Sequence, residues 1–380
     1  MKIAVLGVRG FPKVQGGVEA HCENLYPLLA KKGCEVTVFA RRPYVASANA
    51  FSHNGVRLIP LSCPKGKFLE AWAHTLKGIF QAKKIRPDIL HIHAIGPSFF
   101  ALFARFLKMK VVITHHGPDY KRKKWGRFAK LFLKFSEYLG CRFSDGVIFV
   151  AGNIPAAAKM KGRTFAIIPN GVMPVTLEAG QNMLRHYALK KGKYVLAVGR
   201  FVPEKGFTDL IEAFELAVST AQKDLRDWKL AIVGAADHED SYSRHLKERA
   251  LSNKRVILTG FLSGADLREL YSNAGVFVLP SYYEGAPIVL LEAMEYGLSC
   301  VASDIEANKT AGLTQERFFK PGDIQALKER IIQFCASPLS EAEIQKQKSL
   351  IRENYDWEKI SQETLRFYKK VIGNGYPKVL

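Results

Sequence analysis

At 380 residues the chain exceeds the size at which one hydrophobic core usually stops growing, so two domains are expected. Its six cysteines are scattered without metal-ligand spacing, which argues against a disulfide framework or a zinc cluster. The net charge of +21 arises in the first half, because residues 1–170 contain 28 Lys and Arg against 8 Asp and Glu, whereas residues 171–380 contain 28 against 27. This asymmetry predicts an anionic partner for the first half, either a membrane surface, a phosphorylated acceptor or nucleic acid.

Short β-branched runs alternate with longer amphipathic stretches along the first half. The first run, KIAVLGV, indicates a buried strand and is too short for a secretory signal. EVTVFAR, DILHIHA, KVVITHH and DGVIFVA follow, and their alternation with helical stretches predicts βαβ units with a parallel sheet. Arg105, Lys108 and Lys110 interrupt the most apolar region, which therefore lacks the roughly 20 apolar residues of a membrane span. We expect a cytoplasmic protein.

A glycine-rich loop follows the first strand, in GVRGFPKVQGGVEAHCENL at residues 7–25. Gly16 and Gly17 precede a helical pattern, so their backbone can approach a phosphate or a sugar closely. Gly7 and Gly10 form only G-x-x-G. The dinucleotide fingerprint G-x-G-x-x-G is absent, which disfavours a nicotinamide enzyme.

Two adjacent histidines end the strand in VVITHHGPDY, residues 111–120. Neighbouring side chains of a strand point to opposite faces, so at most one of His115 and His116 is expected to face a site. A hydrogen-bonded structural role is the alternative for His115.

A basic amphipathic helix is predicted directly after this strand. Aromatic and aliphatic residues recur at helical spacing, at Trp125, Phe128, Phe132, Phe135 and Leu139. The other sides carry Lys123, Lys124, Arg127, Lys130 and Lys134. Such a helix can lie in a membrane interface, or it can pack its aromatic stripe on the sheet with its lysines in water.

The pattern of strands starts again in the second half. We predict a first domain over residues 1–170, a turn-rich linker over 171–192 and a second α/β domain over 193–354. The last segment, 355–380, has helical periodicity and is expected to cross back to the first domain.

Two loops of the second domain are candidate ligand-binding segments. VGRFVPEKG, at 198–206, offers a sharp turn at Gly199 and two cations, Arg200 and Lys205, to a pyrophosphate. GFLSGADL, at 260–267, follows a strand, and the backbone of Phe261 and Leu262 can read the edge of a nucleobase. A solvated loop and a simple strand cap are the respective alternatives.

The strongest motif is EGAPIVLLEAMEYG, residues 284–297. Pro287 suits a first helical position and Gly297 the residue after a helix, so a short helix is predicted between them. Its first N–H groups, at Ile288, Val289 and Leu290, would form an anion site for a diphosphate. Glu284 would lie in the entering loop and Glu292 inside the helix, where carboxylates can hold sugar hydroxyls.

These two glutamates, separated by seven residues and with G-x-P after the first, resemble the signature of glycosyltransferase family 4. The resemblance implies the GT-B fold, in which two Rossmann-like domains with parallel sheets face a central cleft. It also implies metal-independent transfer from a nucleotide diphosphate sugar with retention, and no cofactor. The R-G-x-P and G-G-x-E segments of the first half are similar to a subgroup of rhamnosyl- and other hexosyltransferases of polysaccharide assembly.

The resemblance assigns roles residue by residue. Glu292 binds the ribose, and Glu284, with Gly285, Ala286 and Pro287, faces the transferred sugar. Arg200 and Lys205 hold the donor diphosphate, and the loop with Phe261 and Leu262 holds the nucleobase. His116 lies near the donor sugar. Pro118 and Tyr120 depart from the family pattern and leave the acceptor contacts open.

The resulting hypothesis is a hexosyltransferase of cell-surface polysaccharide or lipopolysaccharide synthesis. UDP-sugars are the first donors to consider, with GDP- and dTDP-sugars open, and the acceptor is a lipid-linked glycan or a saccharide. The basic first domain is expected to dock on the anionic inner leaflet. The alternatives are a GT-B nucleotide-sugar epimerase or phosphorylase, and a basic nucleic-acid-binding protein, for which no recognisable motif is present.

Overall fold

The computed structural model describes residues 1–373 except Lys65, Lys67, Phe68, Lys123, Lys124, Asn153, Pro155, Ala158, Lys159, Lys161, Thr176 and Ala179. Lys123 and Lys124 of the predicted basic helix therefore lie outside the described residues. The chain divides into two compact units: unit 1 is Met1–Gly171 with Trp357–Leu380, and unit 2 is Val172–Asp356.

The elements alternate between strand and helix in both units. The first part of unit 1 contains β1 (Lys2–Leu6), α1 (Gly17–Lys31), β2 (Glu35–Arg41), β3 (Phe51–His53), β4 (Val56–Leu61), α2 (Leu69–Ile85), β5 (Ile89–His93), α3 (Ala101–Phe106), β6 (Val111–His115), α4 (Arg127–Phe143), β7 (Gly146–Phe149) and β8 (Phe165–Ile167). Unit 2 contains α5 (Asn182–His186), β9 (Tyr194–Val198), α6 (Phe207–Thr220), β10 (Lys229–Val233), α7 (Ser241–Leu251), β11 (Val256–Gly260), α8 (Gly264–Asn273), β12 (Val276–Leu279), α9 (Ile288–Glu295), β13 (Ser299–Ser303), α10 (Glu306–Lys309), β14 (Phe318–Phe319), α11 (Ile324–Ala336) and α12 (Glu341–Asn354). The last helix, α13 (Trp357–Gly373), belongs to unit 1.

Each unit is built on one sheet. In unit 1 the strand order is β3-β4-β2-β1-β5-β6-β7-β8, with only the β3–β4 pair antiparallel. In unit 2 the order is β11-β10-β9-β12-β13-β14, and the strands are parallel. The order reverses direction between β9 and β12, the position at which open α/β sheets form a crevice at the carboxyl ends of their strands.

Alternating residues of the central strands supply two hydrophobic cores per unit. In β1, Ile3 and Val5 pack with α1 and α13, whereas Ala4 and Leu6 pack with α2 and α3 on the other face. In β9, Val195 and Ala197 pack with α6 and α11, whereas the intervening residues pack with α8 and α9. Both sheets are thus covered by helices on both faces, as near-continuous apolar strands require.

The predicted linker is not an independent segment. Residues 172–192 belong to unit 2 and include α5, whose Leu184 is buried in the same core as β9. The buried Glu269 carboxylate accepts hydrogen bonds from the N–H groups of Met183 and Leu184 at the start of α5. Residues 172–192 of the predicted linker therefore lie within unit 2, because their turn residues are followed by α5, whose Leu184 is buried in the core of this unit.

The basic helix α4 does not pack its whole aromatic stripe on the sheet. Leu133, Ser136 and Gly140 are its buried residues, while Phe128 is 91% exposed and Phe135 is 51% exposed. The alternative in which the aromatic stripe packs on the sheet is therefore wrong for these two phenylalanines. Among the described helices, none is long and apolar enough to cross a membrane.

Candidate active site

The Lys205 ammonium and the Glu284 carboxylate meet at the carboxyl edge of the unit 2 sheet. Lys205 lies in a turn after β9, and Glu284 lies in the loop between β12 and α9. Because β9 and β12 are adjacent parallel strands, their carboxyl ends come to the same edge although the two residues are 79 positions apart. Lys205 Nζ donates to Glu284 Oε1 at 2.6 Å, and Ser281 Oγ donates to the same oxygen at 2.5 Å.

The second predicted cation, Arg200, lies on the neighbouring side of the same edge. Gly199 directly follows β9 and donates its backbone N–H to the Val233 carbonyl of β10, and Arg200 comes next. Arg200 Nη1 donates to Asp237 Oδ2 at 2.9 Å, in the segment after β10. Each of the two cations thus has a carboxylate partner, and both pairs are partly exposed.

Helix α9 begins one residue later than predicted, at Ile288, with Pro287 as its N-cap residue. The N–H groups of Ile288 and Leu290 donate to the carbonyl oxygens of Ala286 and Pro287, each at 3.0 Å. Two of the three N–H groups expected to bind an anion are therefore occupied by turn hydrogen bonds. Within the described residues, the Val289 N–H has no such acceptor.

Glu292 is a partly buried carboxyl on the second turn of α9. Its Oε2 accepts a hydrogen bond from the buried Tyr271 hydroxyl at 3.2 Å, and the Tyr271 ring stacks on Tyr296 with centroids 5.0 Å apart. Loss of hydration raises the pKa of Glu292 to about 7, although the Tyr271 hydrogen bond acts in the opposite direction. The carboxyl can therefore change its charge near neutral pH.

Phe261 and Leu262 directly follow β11, at the far side of the same carboxyl edge. Phe261 is 40% exposed, while Leu262 packs against the core that contains β9. The binding of a nucleobase by this loop stays a prediction.

The predicted glycines, Gly16 and Gly17, lie at the start of α1 in unit 1. Gly16 has φ +150°, and a Cβ there would lie 2.1 Å from Glu19 Oε2 and 2.6 Å from Arg9 Nη2. Arg9 Nε and the Arg9 backbone N–H both donate to Glu19 Oε1 at 3.1 Å. The arginine of R-G-x-P and the glutamate of G-G-x-E are thus a buried ion pair, and Gly16 leaves the space that this pair occupies.

His115 and His116 have different surroundings. His115 is buried, accepts from the Gly117 N–H at Nδ1 and contacts Glu137 Oε1 through Nε2 at 2.7 Å. His115 therefore has the environment of a hydrogen-bonded structural histidine, which was the alternative to a role in the site. His116 is partly buried, and its Nε2 lies 2.9 Å from His93 Nδ1.

His116 belongs to a cluster of histidines at the carboxyl ends of β5 and β6. His93 and His91 are stacked with centroids 4.3 Å apart, and His21 of α1 meets the His116 ring edge-on at 4.9 Å. His21 Nδ1 pairs with Asn170 Oδ1 at 2.8 Å, which leaves the buried His21 Nε2 without a hydrogen-bond partner in the described chain. Burial lowers the pKa of His21 to about 4 and holds the pKa values of His93 and His116 well below the usual range.

Three histidines of this cluster have the composition of a metal site but not its geometry. One ring nitrogen from each of His21, His93 and His116 lies within 4.8 Å of the others, and three imidazoles are a ligand set that Zn²⁺ accepts. However, the rings of His93 and His116 are inclined by only 29°, with centroids 5.2 Å apart and nitrogens 2.9 Å apart. The two nitrogens therefore point at each other, as in a hydrogen bond, and do not converge on a third position.

The sequence reasoning did not single out several residues of these clusters. Asp237 and Tyr271 contact predicted residues from distant parts of unit 2, and Ser281 contacts Glu284 from three residues earlier in the same loop. His91 and His93 could have been found, because histidines two apart at the end of a buried strand lie on one face. Gly7 adds to that signal: a Cβ there would lie 2.1 Å from the His93 carbonyl oxygen, so β1 and β5 approach closely at this end.

Two family models together match most of the chain. The model described as Glycosyltransferase Family 4 matches residues 15–174, and the model described as Glycosyl transferases group 1 matches residues 182–357. These ranges fall on the two α/β units.

Curated relatives match nearly the whole chain at low identity. An uncharacterized glycosyltransferase of Methanocaldococcus jannaschii is 28% identical over 400 aligned residues, covering 97% of this chain and 98% of the relative. A phosphatidyl-myo-inositol mannosyltransferase of Mycolicibacterium smegmatis is 26% identical, covering 95% and 92%. The UDP-Gal:α-D-GlcNAc-diphosphoundecaprenol α-1,3-galactosyltransferase of Escherichia coli is 25% identical and covers 60% of each chain.

Solved structures match the fold across the full length. The sucrose-phosphate synthase of Thermosynechococcus elongatus superimposes with a TM-score of 0.79 at 21% identity, covering 98% of this chain and 99% of the other. HepE of Anabaena, solved in complex with UDP-glucose, gives a TM-score of 0.76 at 18% identity, covering 97% and 100%. With its two parallel-sheet units and the two family matches, this chain is a glycosyltransferase of the family 4 type with the GT-B fold.

Proposed function

We propose that this glycosyltransferase moves a hexose-type sugar from a nucleotide diphosphate sugar to a lipid-linked or saccharide acceptor, with retention at the anomeric carbon. The contact between Lys205 and Glu284 carries the proposal. It joins a cation suited to a leaving phosphate and a carboxylate suited to sugar hydroxyls at one edge of the unit 2 sheet. UDP-sugars are the first donors to test, and HepE, a structural neighbour, binds UDP-glucose.

On binding, the donor diphosphate would replace the carboxylates that pair with the two cations at this edge. The Arg200 guanidinium would move from Asp237 to the diphosphate, and the Lys205 ammonium would move from Glu284 to it. The Val289 N–H at the start of α9 would donate a hydrogen bond to the same diphosphate. Glu284 then accepts from hydroxyls of the sugar. Glu292 accepts from the ribose hydroxyls, for which it must be ionised.

The transfer step needs no protein nucleophile. The bond between the anomeric carbon and the diphosphate oxygen breaks, and the acceptor oxygen bonds to the anomeric carbon on the same face. The acceptor proton passes to the departing phosphate oxygen. Arg200 and Lys205 stabilise the negative charge that grows on the diphosphate, and His116 contributes hydrogen bonding to the sugar.

We propose that the reaction is independent of metal and of any cofactor. The two cations supply the positive charge that a divalent ion would otherwise supply to the leaving diphosphate. Full turnover after treatment with EDTA is expected, and loss of turnover that Mg²⁺ or Mn²⁺ restores would reject metal independence.

One layer of unit 1, formed by α2, α3 and α4, supports docking on an anionic membrane. Its exposed large apolar residues are Leu69, Leu76, Phe80, Phe106, Phe128, Leu131, Phe135 and Tyr138. Its cations are Lys77, Lys83, Lys84, Arg105, Arg127, Lys130, Lys134 and Arg142. The acidic residues of these three helices, Glu70 and Glu137, are both occupied, by Arg41 and by His115. This layer therefore combines exposed apolar area with an excess of positive charge.

An apolar groove within this layer suits a lipid chain of the acceptor. The groove has a volume of about 450 Å³ and is lined by Leu69, Trp72, Phe128, Ala129 and Phe132. Two relatives are named for lipid acceptors, one a phosphatidyl-myo-inositol and the other a diphosphoundecaprenol-linked sugar. We therefore propose a peripheral enzyme on the inner face of the cytoplasmic membrane that acts in polysaccharide, lipopolysaccharide or glycolipid synthesis.

The donor is identified by thermal shift with UDP, GDP, dTDP and ADP, followed by the sugar conjugates of the nucleotide that binds. We expect one nucleoside diphosphate to raise the melting temperature of the wild type, because a ligand that binds only the folded state stabilises it. The Arg200→Ala variant should lose this shift, and Lys247→Ala, which removes a solvent-exposed ion pair of unit 2, should keep it. No shift with any nucleotide, or equal shifts in both variants, would reject the donor site. NMR of the product's anomeric proton then tests retention.

A further inference from the structure

The Ser281 hydroxyl holds one oxygen of the Glu284 carboxylate. Ser281 Oγ donates to Glu284 Oε1 at 2.5 Å, and Lys205 Nζ donates to the same oxygen at 2.6 Å. Within the described part of the chain, Glu284 Oε2 has no hydrogen-bond partner, and it is not among the fully buried polar atoms. One oxygen of the carboxylate therefore receives two donors, and the other is available to a ligand.

The peptide group between Ser281 and Tyr282 is held at both ends. Its carbonyl oxygen accepts from Ser303 Oγ at 2.5 Å, and Ser303 is the last residue of β13. Its N–H donates to the Glu204 carbonyl oxygen at 2.8 Å, in the turn that contains Lys205. The C=O and N–H of a trans peptide group point in opposite directions, so these contacts hold the group from two opposite sides. They thereby restrain the direction in which the Ser281 side chain leaves the backbone.

Asn308 of α10 holds Ser303 in turn. Its Nδ2 donates to the Ser303 carbonyl oxygen at 2.9 Å and to Ser303 Oγ at 3.0 Å. A carbonyl oxygen can only accept, so the amide must present its NH₂ group to Ser303. Ser303 Oγ therefore accepts from Asn308 and gives its own proton to the Ser281 carbonyl oxygen. Because Ser281, Ser303 and Asn308 are each 0% exposed, these hydrogen bonds form away from competing water.

We propose that Ser281 is a positioning residue that holds Glu284 Oε1, so that Oε2 is the oxygen that accepts from a hydroxyl of the donor sugar. Ser303 and Asn308 hold Ser281 for this role. The inference rests on the proposed role of Glu284 in binding the sugar. It adds to that role which oxygen binds the ligand and which residues orient it.

The Ser281 hydroxyl has its main effect when Lys205 moves to the diphosphate. In the free protein two donors hold Glu284 Oε1, and after the ammonium has moved the hydroxyl is the one of the two that stays. Without the hydroxyl the carboxylate would rotate more freely about its terminal bond, because the terminal torsion of Glu has broad minima. Ser281 thus keeps the orientation of the carboxylate in the step in which its cation leaves.

The test compares sugar transfer with binding of the nucleotide alone. The nucleotide is the one that gives the largest thermal shift among UDP, GDP, dTDP and ADP. In Ser281→Ala, kcat/KM for transfer of radiolabelled sugar from its conjugate to a lipid extract with diphosphoprenyl-linked sugars should fall at least about tenfold, as for loss of a hydrogen bond to a charged group. The Kd of the nucleotide, measured by isothermal titration calorimetry, should change by less than about twofold, because this ligand has no sugar for Glu284 to hold.

Three further variants define the role. Ser303→Ala removes the hydrogen bond to the Ser281 carbonyl and should lower kcat/KM less, again without a change in Kd. Ser299→Ala removes a buried hydroxyl at the other end of β13, where it accepts from Arg317 Nη1 at 3.0 Å, and should change neither quantity. In the double variant Ser281→Ala/Glu284→Ala, kcat/KM should be no lower than in Glu284→Ala, because the hydroxyl acts through that carboxylate.

The outcomes separate the positioning role from the proposed function. A wild-type kcat/KM in Ser281→Ala would overturn the positioning role, and so would an equal loss of kcat/KM and of nucleotide affinity, which indicates a disturbed loop. The contact is also tested without a substrate: the shifts in melting temperature of Ser281→Ala and Glu284→Ala should not add in the double variant, and additive shifts would overturn the inference. If the shifts do not add but the wild type binds no nucleotide and transfers no sugar, the contact stands and the proposed function is rejected.

Discussion

Donor binding should depend on pH through Glu292. The carboxyl is partly buried, its hydrogen-bond donor is Tyr271, and its pKa is raised to about 7. Ribose hydroxyls donate to an ionised carboxylate, so the ligand must bind the form without the proton. The free protein holds this proton below about pH 7 and releases it on binding. Affinity is therefore gained as pH rises through about 7 and lost as pH falls.

The size of this effect follows from the pKa. At pH 6, one unit below a pKa of about 7, roughly one carboxyl in eleven is ionised in the free protein. Affinity at pH 6 should therefore be about tenfold weaker than at pH 8, which corresponds to ~1.4 kcal/mol. The Glu292→Gln variant has no such proton. It should bind more weakly at pH 8, by about 2 kcal/mol for the lost charged hydrogen bonds.

Isothermal titration calorimetry at pH 6, 7 and 8 measures this dependence, with the nucleoside diphosphate that gives the largest thermal shift. The terminal phosphate of the ligand also titrates, but it does so equally for both proteins. The ratio of wild-type to Glu292→Gln affinity is therefore the informative quantity. It should rise about tenfold between pH 6 and pH 8. A ratio that is constant with pH would refute the reasoning.

Three further changes have defined outcomes. Lys205→Ala should lower kcat by about 10² to 10³ if the ammonium stabilises the leaving diphosphate, and near-normal turnover beside the Lys247→Ala control would reject that role. Phe128→Ser should weaken sedimentation with anionic vesicles, whereas Leu251→Ser, which changes an 85% exposed leucine of unit 2, should not. Equal binding by the two variants, or binding that does not weaken as salt is added, would contradict membrane docking. Glu19→Ala removes the carboxylate that pairs with the half-buried Arg9 guanidinium and should lower the free energy of unfolding in urea by about 3 kcal/mol. A loss below about 1 kcal/mol would mean that water replaces the carboxylate.

The donor half of the site could be predicted because its signals are local in sequence. Glu284, Pro287 and Glu292 lie within nine consecutive residues, and a helix start there is encoded by neighbouring residues. The exact occupancy of its N–H groups could not be predicted. It depends on the turn geometry of Ala286 and Pro287, because their carbonyl oxygens accept hydrogen bonds from two of the three N–H groups at the helix start.

Partners from distant segments could not be read from the sequence. Asp237 reaches Arg200, and Tyr271 reaches Glu292, only because the sheet order is β11-β10-β9-β12. Strand order is set by tertiary packing, so the spacing of these residues in the sequence does not indicate it. The residues themselves, one aspartate in a loop and one tyrosine on a helix, are ordinary in sequence.

The orientation of α4 shows a second limit. Its periodicity gives an amphipathic helix, but it does not say which apolar residues the rest of unit 1 will cover. Phe132 meets Trp72 of α2 at 4.9 Å between ring centroids, whereas Phe128 and Phe135 are left exposed. The position of α2 decides this outcome, and it is fixed by the sheet beneath both helices.

The most direct test of the account is whether turnover of the donor requires an acceptor. The full-length protein is incubated with a radiolabelled nucleotide sugar, with and without a lipid extract that contains diphosphoprenyl-linked sugars, and all products are separated. We expect label in the lipid fraction and release of nucleoside diphosphate only when the extract is present, with both reduced at least about a hundredfold in Lys205→Ala. Consumption of the donor without any acceptor, with an epimer or a sugar phosphate as product, would contradict sugar transfer as the function of this site.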